Sequence, residues 1–176
     1  MVINRLFLGA ILAVFIFGIS SCSESSSPTS KDDRNLGSDD SLFVITEPGF
    51  GMNILLSKTL LADEPARILY DENLGHLEIS IGDNFNLQII DDSVDVASEK
   101  YDLQNDQFMS FTFHNVGDQQ YDYHSALPDG SVHAYHYMGQ HVLGKSPYFI
   151  RTSPDGEYTA MQLARMKKAI ASMRKQ

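Results

Sequence analysis

Four histidines and four tyrosines fall within the 24 residues from Tyr121 to Gly144, YDYHSALPDGSVHAYHYMGQHVLG. Imidazoles hold transition metals and move protons near neutral pH, so this density raises metal or acid–base chemistry first. At its centre Leu127-Pro128-Asp129-Gly130 is a turn signal, because proline presets one dihedral and glycine accepts positive φ. A type I turn with Gly130 as the bulge residue pairs Leu127 with Ser131. That register sets Tyr123 opposite Tyr135, Tyr121 opposite Tyr137 and Ser125 opposite His133 on one face. The other face then carries His124 opposite Ala134, Asp122 opposite His136 and Gln120 opposite Met138.

Cross-strand Cβ atoms lie roughly 5 Å apart. On the second face His124, His136 and Asp122 would therefore suffice to hold Zn or Cu, given one more ligand or water. His141 could be that ligand if the chain bends after Gly139. His133 and His136 cannot chelate together, since an odd separation on a strand sends their rings to opposite faces. No known metal signature has this spacing. The better-supported reading is architectural: tyrosines cover core and histidines line a wetted face, as both residue types do on half-exposed strands.

Catalysis has less to stand on. No Gly-x-Ser-x-Gly elbow, His-Glu-x-x-His helix, P-loop or Gly-x-Gly-x-x-Gly turn occurs in the chain. Ser125 and His124 are neighbours in sequence and so face opposite ways on a strand. The acidic residues Asp83, Asp91, Asp92 and Asp95 do not match a calcium loop and read as solvated turns.

The first residues state how the chain is placed. MVINRLFLGAILAVFIFGISSC has one cation, Arg5, followed by 14 apolar residues from Leu6 to Ile19. As a helix that run spans about 21 Å, short of a membrane crossing and suited to a signal-peptide core. It ends in Ile19-Ser20-Ser21-Cys22, which resembles the lipobox of bacterial lipoproteins, with Ile19 a permitted variant of the commoner leucine. The resemblance covers residues 1–22 only. It implies a signal peptide over 1–21, cleavage before Cys22 and acylation (palmitate-type chains) of that cysteine. Cys22 is the only cysteine in the chain, so no internal disulfide competes for it, and none remains as a nucleophile. Ser23 in place of aspartate implies, by the same resemblance, the outer membrane. The Lys31-Asp32-Asp33 triplet lies nine residues past Cys22, whereas acidic surface-export signals follow the cysteine directly, so the periplasmic side is expected.

Residues 22–41 are the lipidated cysteine and a Ser/Asp-rich tether. With Leu36 as the one apolar side chain in 23–41, nothing there offsets the entropy of ordering. Residues 42–176 are long enough for one domain with a modest core. The net charge of −10 excludes nucleic acid as a partner for most of the surface. Charge is uneven: residues 42–156 hold 17 acids and 5 Lys/Arg, and residues 157–176 hold Glu157 against five bases. Those bases suit the C-terminal end of a helix.

Period-two patterning predicts strands at 42–46, 66–70, 76–82, 84–91, 107–116, the hairpin and 146–152. Residues 50–60 are expected to be helical, and 92–106 a short surface helix or an irregular connection. Leu163, Met166, Ile170 and Met173 form the apolar stripe of a terminal helix, with Thr159 and Gln162 spaced as a capping box. The expected fold is α+β: a single domain with a mainly antiparallel sheet of about five to seven strands and the amphipathic C-terminal helix packed on it. The expected function is that of a non-enzymatic accessory or binding module of a bacterial envelope, attached to the membrane through acyl chains on Cys22 and serving an envelope protein partner or ligand. The alternative is a periplasmic Zn or Cu protein using His124, His136 and Asp122. Otherwise no cofactor is expected.

Overall fold

The computed structural model describes residues 39–176. Chain order is β1 (Asp40–Ile45), β2 (Met52–Ser57), α1 (Lys58–Asp63), β3 (Arg67–Asp71), β4 (His76–Ile81), β5 (Phe85–Ile90), α2 (Val96–Gln104), β6 (Ser110–His114), β7 (Gln120–Ala126), β8 (Val132–Leu143), β9 (Ser146–Thr152), α3 (Ala160–Ser172) and β10 (Arg174–Lys175). Two antiparallel sheets result, one ordered β1-β2-β10 and one ordered β3-β4-β5-β9-β8-β7-β6. Two meanders make the larger sheet. β3 to β5 run outward, α2 crosses over, and β6 to β9 run back so that β9 lands beside β5.

One face of the large sheet follows from strict alternation. Leu77, Ile79 and Ile81 of β4 and Phe85, Leu87 and Ile89 of β5 are buried, with half-buried or polar residues between them. The small sheet lays Met52, Ile54 and Leu56 on that face, and α3 lays Leu163, Met166, Ala169 and Ile170 on it, all within one core. The capping box forms as expected. Thr159 Oγ1 accepts from Gln162 N at 3.3 Å and Gln162 Oε1 accepts from Thr159 N at 2.7 Å, which satisfies donors the first turn leaves free. A second, aromatic core lies on the opposite face, where Val96 of α2 packs with Tyr121, Tyr123, Met138 and Phe149. Strands β7 and β8 are thus covered on both sides, by α2 and by α3.

The architecture is α+β with the C-terminal helix on a mainly antiparallel sheet, but it has ten strands where five to seven were expected. The surplus comes largely from the small sheet. Residues 52–57, expected to be helical, are β2: Met52, Ile54 and Leu56 face inward at period two while Asn53, Leu55 and Ser57 do not. The apolar run reads as helix-compatible by composition, and pairing with β1 decides it. The helix that follows has six residues. Residues 92–106 contain a true helix, α2, started by Asp95, whose carboxylate accepts from Ala97 N and Ser98 N. At 107–116 the strand begins later than expected, because the Asp106 carboxylate accepts from Phe108 N and Met109 N at 2.7 and 2.8 Å and holds a turn. Phe108 is left exposed. Asp40 and Ser41, assigned to the tether on composition, open β1, and buried Asp40 receives Lys168 Nζ on its two oxygens at 2.9 and 3.0 Å.

Candidate functional site

The turn of the histidine-rich hairpin forms as its sequence dictates: Leu127 N donates to Ser131 O at 2.9 Å and Gly130 adopts φ 84°. One residue later the expected register fails. Ala126 pairs with Val132, but Ser125 pairs with Ala134, so His133 is bulged out and every pair beyond slips by one. Tyr123 stands opposite His136 rather than Tyr135, Asp122 opposite Tyr137 rather than His136, His124 opposite Tyr135 and Tyr121 opposite Met138. A one-residue slip exchanges faces. His133, released from the ladder, points its Nε2 to within 3.9 Å of Glu157.

The three residues proposed from the sequence as metal ligands therefore part company. His136 joins the aromatic side, stacked on Tyr123 with ring centroids 5.1 Å apart and its Nδ1 3.1 Å from Thr152 Oγ1. It is buried, and that burial, with help from His133, pushes its pKa down to about 4. His124 is half-buried beside Tyr135, its Nδ1 2.9 Å from Nε2 of His114. Burial first and then His114 lower its pKa. Asp122 faces α3. Among the described residues no three His, Cys, Asp or Glu side chains are grouped to hold a metal ion. Cys22, the predicted lipidation site, lies outside the described residues.

What converges instead is a polar cleft between α3 and strands β7 and β8. Asp122 is only 6% exposed, an uncommon place for a carboxylate unless it is paired. Its Oδ2 accepts from Asn115 Nδ2 at 2.6 Å and from Lys167 Nζ of α3. Opposite it, Tyr137 Oη donates to Gln120 Oε1 at 3.0 Å and lies 2.6 Å from Nε2 of His141. With its one proton given to Gln120, the Tyr137 oxygen accepts from a His141 Nε2–H. Burial, and then the charge of Asp122, raise the Tyr137 pKa, while burial lowers that of His141. Both groups are thus neutral near pH 7. Ile170 and Ala171 supply an apolar wall, and the half-open cavity lined by these eight residues measures about 210 Å³.

Two backbone features hold this arrangement. Asn115 has φ 47°, the one positive φ outside glycine among the described residues. Asparagine tolerates that region, and its side chain is tied down by Asp122. At Gly139 a Cβ would lie 2.5 Å from Tyr137 Oη and 2.7 Å from Gln120 Cβ. Position 139, packed against Tyr137 and Gln120, is therefore open to glycine alone.

Of these residues sequence reasoning had singled out Asp122, and His141 only as a conditional ligand. Asn115, Gln120, Tyr137 and Lys167 were missed as a group, Lys167 counting only among the five bases expected to suit the C-terminal end of a helix. It and Lys168 instead reach back to Asp122 and Asp40, while Lys175 Nζ meets Tyr148 Oη and sits 5.1 Å from that ring. These three bases thus hold partners within the domain, Lys167 half-buried and Lys168 and Lys175 exposed. No protein-family model matches the chain, and no curated protein and no solved structure is similar to it.

Proposed function

We propose that the chain is a lipoprotein of a bacterial envelope, acylated on Cys22 and held at the outer membrane facing the periplasm. Its domain is a non-enzymatic binding module that takes a small polar ligand in the cleft between α3 and the β7–β8 hairpin. The cleft carries this reading: a concave site with an apolar wall and several convergent polar groups is where a ligand is recognised. A binding role is favoured over catalysis because Lys167 is neutralised by Asp122 and the His141 Nε2 is engaged by Tyr137. Neither is set against a nucleophile. The anchor rests on the lipobox-like Ile19-Ser20-Ser21-Cys22 and on Ser23; three acyl chains exceed the two signals that already give stable attachment. The metal alternative has lost its donor set, since Asp122 and His136 occupy opposite faces of the sheet.

Replacing Cys22 by serine should leave an unprocessed precursor that takes up no radiolabelled palmitate. A variant that is cleaved and labelled like the parent would end the anchoring reading. For the cleft, a low-molecular-weight extract of bacterial envelopes added to the ¹³C-histidine-labelled chain should shift the His141 resonance and leave bulged-out His133 unmoved. Shifts at His133 with His141 static would place binding elsewhere.

A further inference from the structure

Resting on the reading of the cleft as a ligand site, we infer that it recognises a neutral polyhydroxylated ring, a single sugar unit of hexose size. Charge balance is the first reason. The one anion and the one cation of the cleft, Asp122 and Lys167, contact each other directly. A phosphate or carboxylate would enter beside the Asp122 carboxylate, and a divalent cation beside the Lys167 ammonium. A zwitterion would have to pull that pair apart. What remains for a ligand is hydrogen bonding.

The supply of hydrogen-bonding groups is balanced in a way that suits hydroxyls. Both bonds to Asp122 fall on Oδ2, leaving Oδ1 as an acceptor. Asn115 donates through Nδ2 and keeps its Oδ1 as a second acceptor. Lys167 spends one N–H on Asp122, and Gln120 accepts from Tyr137 through Oε1 and retains its amide N–H groups. Free donors and free acceptors are thus both present among the residues that line the cavity. A hydroxyl gives one proton and accepts through its lone pairs, so the hydroxyls of one ring can use donors and acceptors together. A ligand of acceptors only, or of donors only, would leave half of them unmet, and a desolvated polar group left unpaired is costly.

Shape agrees with chemistry. Ile170 and Ala171 offer an apolar surface on one side of the polar groups, matching the C–H face of a sugar ring against its hydroxyl rim. About 210 Å³ lies below the roughly 300–1,000 Å³ of clefts that take drug-sized ligands, a scale suited to one small ring. The ordering is preformed: the Asn115 side chain is bonded to Asp122 at a backbone φ of 47°, and the absent Cβ of Gly139 leaves the space that Tyr137 Oη occupies. Polar groups fixed in advance cost less to order on binding.

The test uses the full chain labelled with ¹³C-histidine. Glucose, galactose and N-acetylglucosamine are the sugar probes; alanine and inorganic phosphate are the charged counter-probes. The expected result is a saturable shift of His141 with at least one sugar, at a Kd of about 1 mM or tighter, with none from alanine or phosphate. Gln120→Ala, on the exposed rim, should weaken that binding about tenfold, and Gly139→Ala should abolish it; an unchanged His136 resonance reports that each variant keeps the fold. Saturation by alanine or phosphate with no sugar response would overturn the sugar assignment and leave the cleft a ligand site. Silence of His141 toward all five probes at about 20 mM, some twentyfold above a 1 mM Kd, together with no response to the envelope extract, would remove both readings.

Discussion

Lys167→Met lowers the free energy of unfolding by about 3 to 5 kcal/mol at pH 7, whereas Asp122→Asn lowers it by about 1 kcal/mol. The two substitutions break the same ion pair, and the asymmetry comes from where its members sit. The Asp122 side chain is 9% exposed and that of Lys167 is 36% exposed. Without Lys167 the carboxylate stays buried with Asn115 as its remaining side-chain donor, an ionised group removed from water with too little in return. Without the Asp122 charge, Lys167 swings its ammonium into solvent on a flexible stem and recovers hydration. Asparagine at 122 keeps the shape and an acceptor for Asn115. Urea unfolding of both variants measures the difference directly. Equal losses, or the larger loss in Asp122→Asn, would mean that the pair behaves as an ordinary surface salt bridge worth a few tenths of a kcal/mol.

That asymmetry was hidden in the sequence, and the reason is physical. Strands β4 and β5 and helix α3 were legible because each buries one face and wets the other, so period two and period 3.6 stand out in HLEISI, FNLQII and the Leu163, Met166, Ile170 stripe. Strands β7 and β8 bury both faces, one under α2 and one under α3. Alternation of polarity then carries no instruction about which residue faces which way. The turn chemistry at Leu127–Ser131 was read correctly, and a second bulge at His133 undid the register it implied. The cleft was harder still: Asn115, Gln120 with Asp122, Tyr137 with His141, and Lys167 come from four segments of the chain. No local spacing marks them, and only the placement of α3 across the hairpin brings a lysine to a buried aspartate.

The same slip of register that dissolved the expected metal face created a buried, titratable histidine, and acid should expose it. His136 is 5% exposed, stacked on Tyr123 at 5.1 Å and edge-on to Tyr158 at 5.8 Å, with Thr152 Oγ1 3.1 Å from its Nδ1. Burial first, and then His133, bring its pKa from 6.5 down to about 4 in the folded chain. Between those two pH values the unfolded chain binds a proton that the folded chain refuses. Stability from this group is therefore whole above pH 6.5, falls as pH drops, and is gone below about pH 4. At about 1.4 kcal/mol per pH unit, the full loss is about 3 kcal/mol. Carboxylates titrate toward the lower end of the same window, so the effect is read as a difference against His136→Phe, which keeps an aromatic ring on Tyr123 and cannot be protonated. Phenylalanine forfeits the Thr152 contact, so the variant starts less stable at pH 7. As pH falls to 4 the parent should lose its lead and then trail, the gap shifting by about 3 kcal/mol in the variant's favour. A gap that stays constant from pH 7 to pH 4 would show that the imidazole takes up its proton in the fold as readily as in the open chain, and that Tyr123 and Tyr158 do not seal it from water.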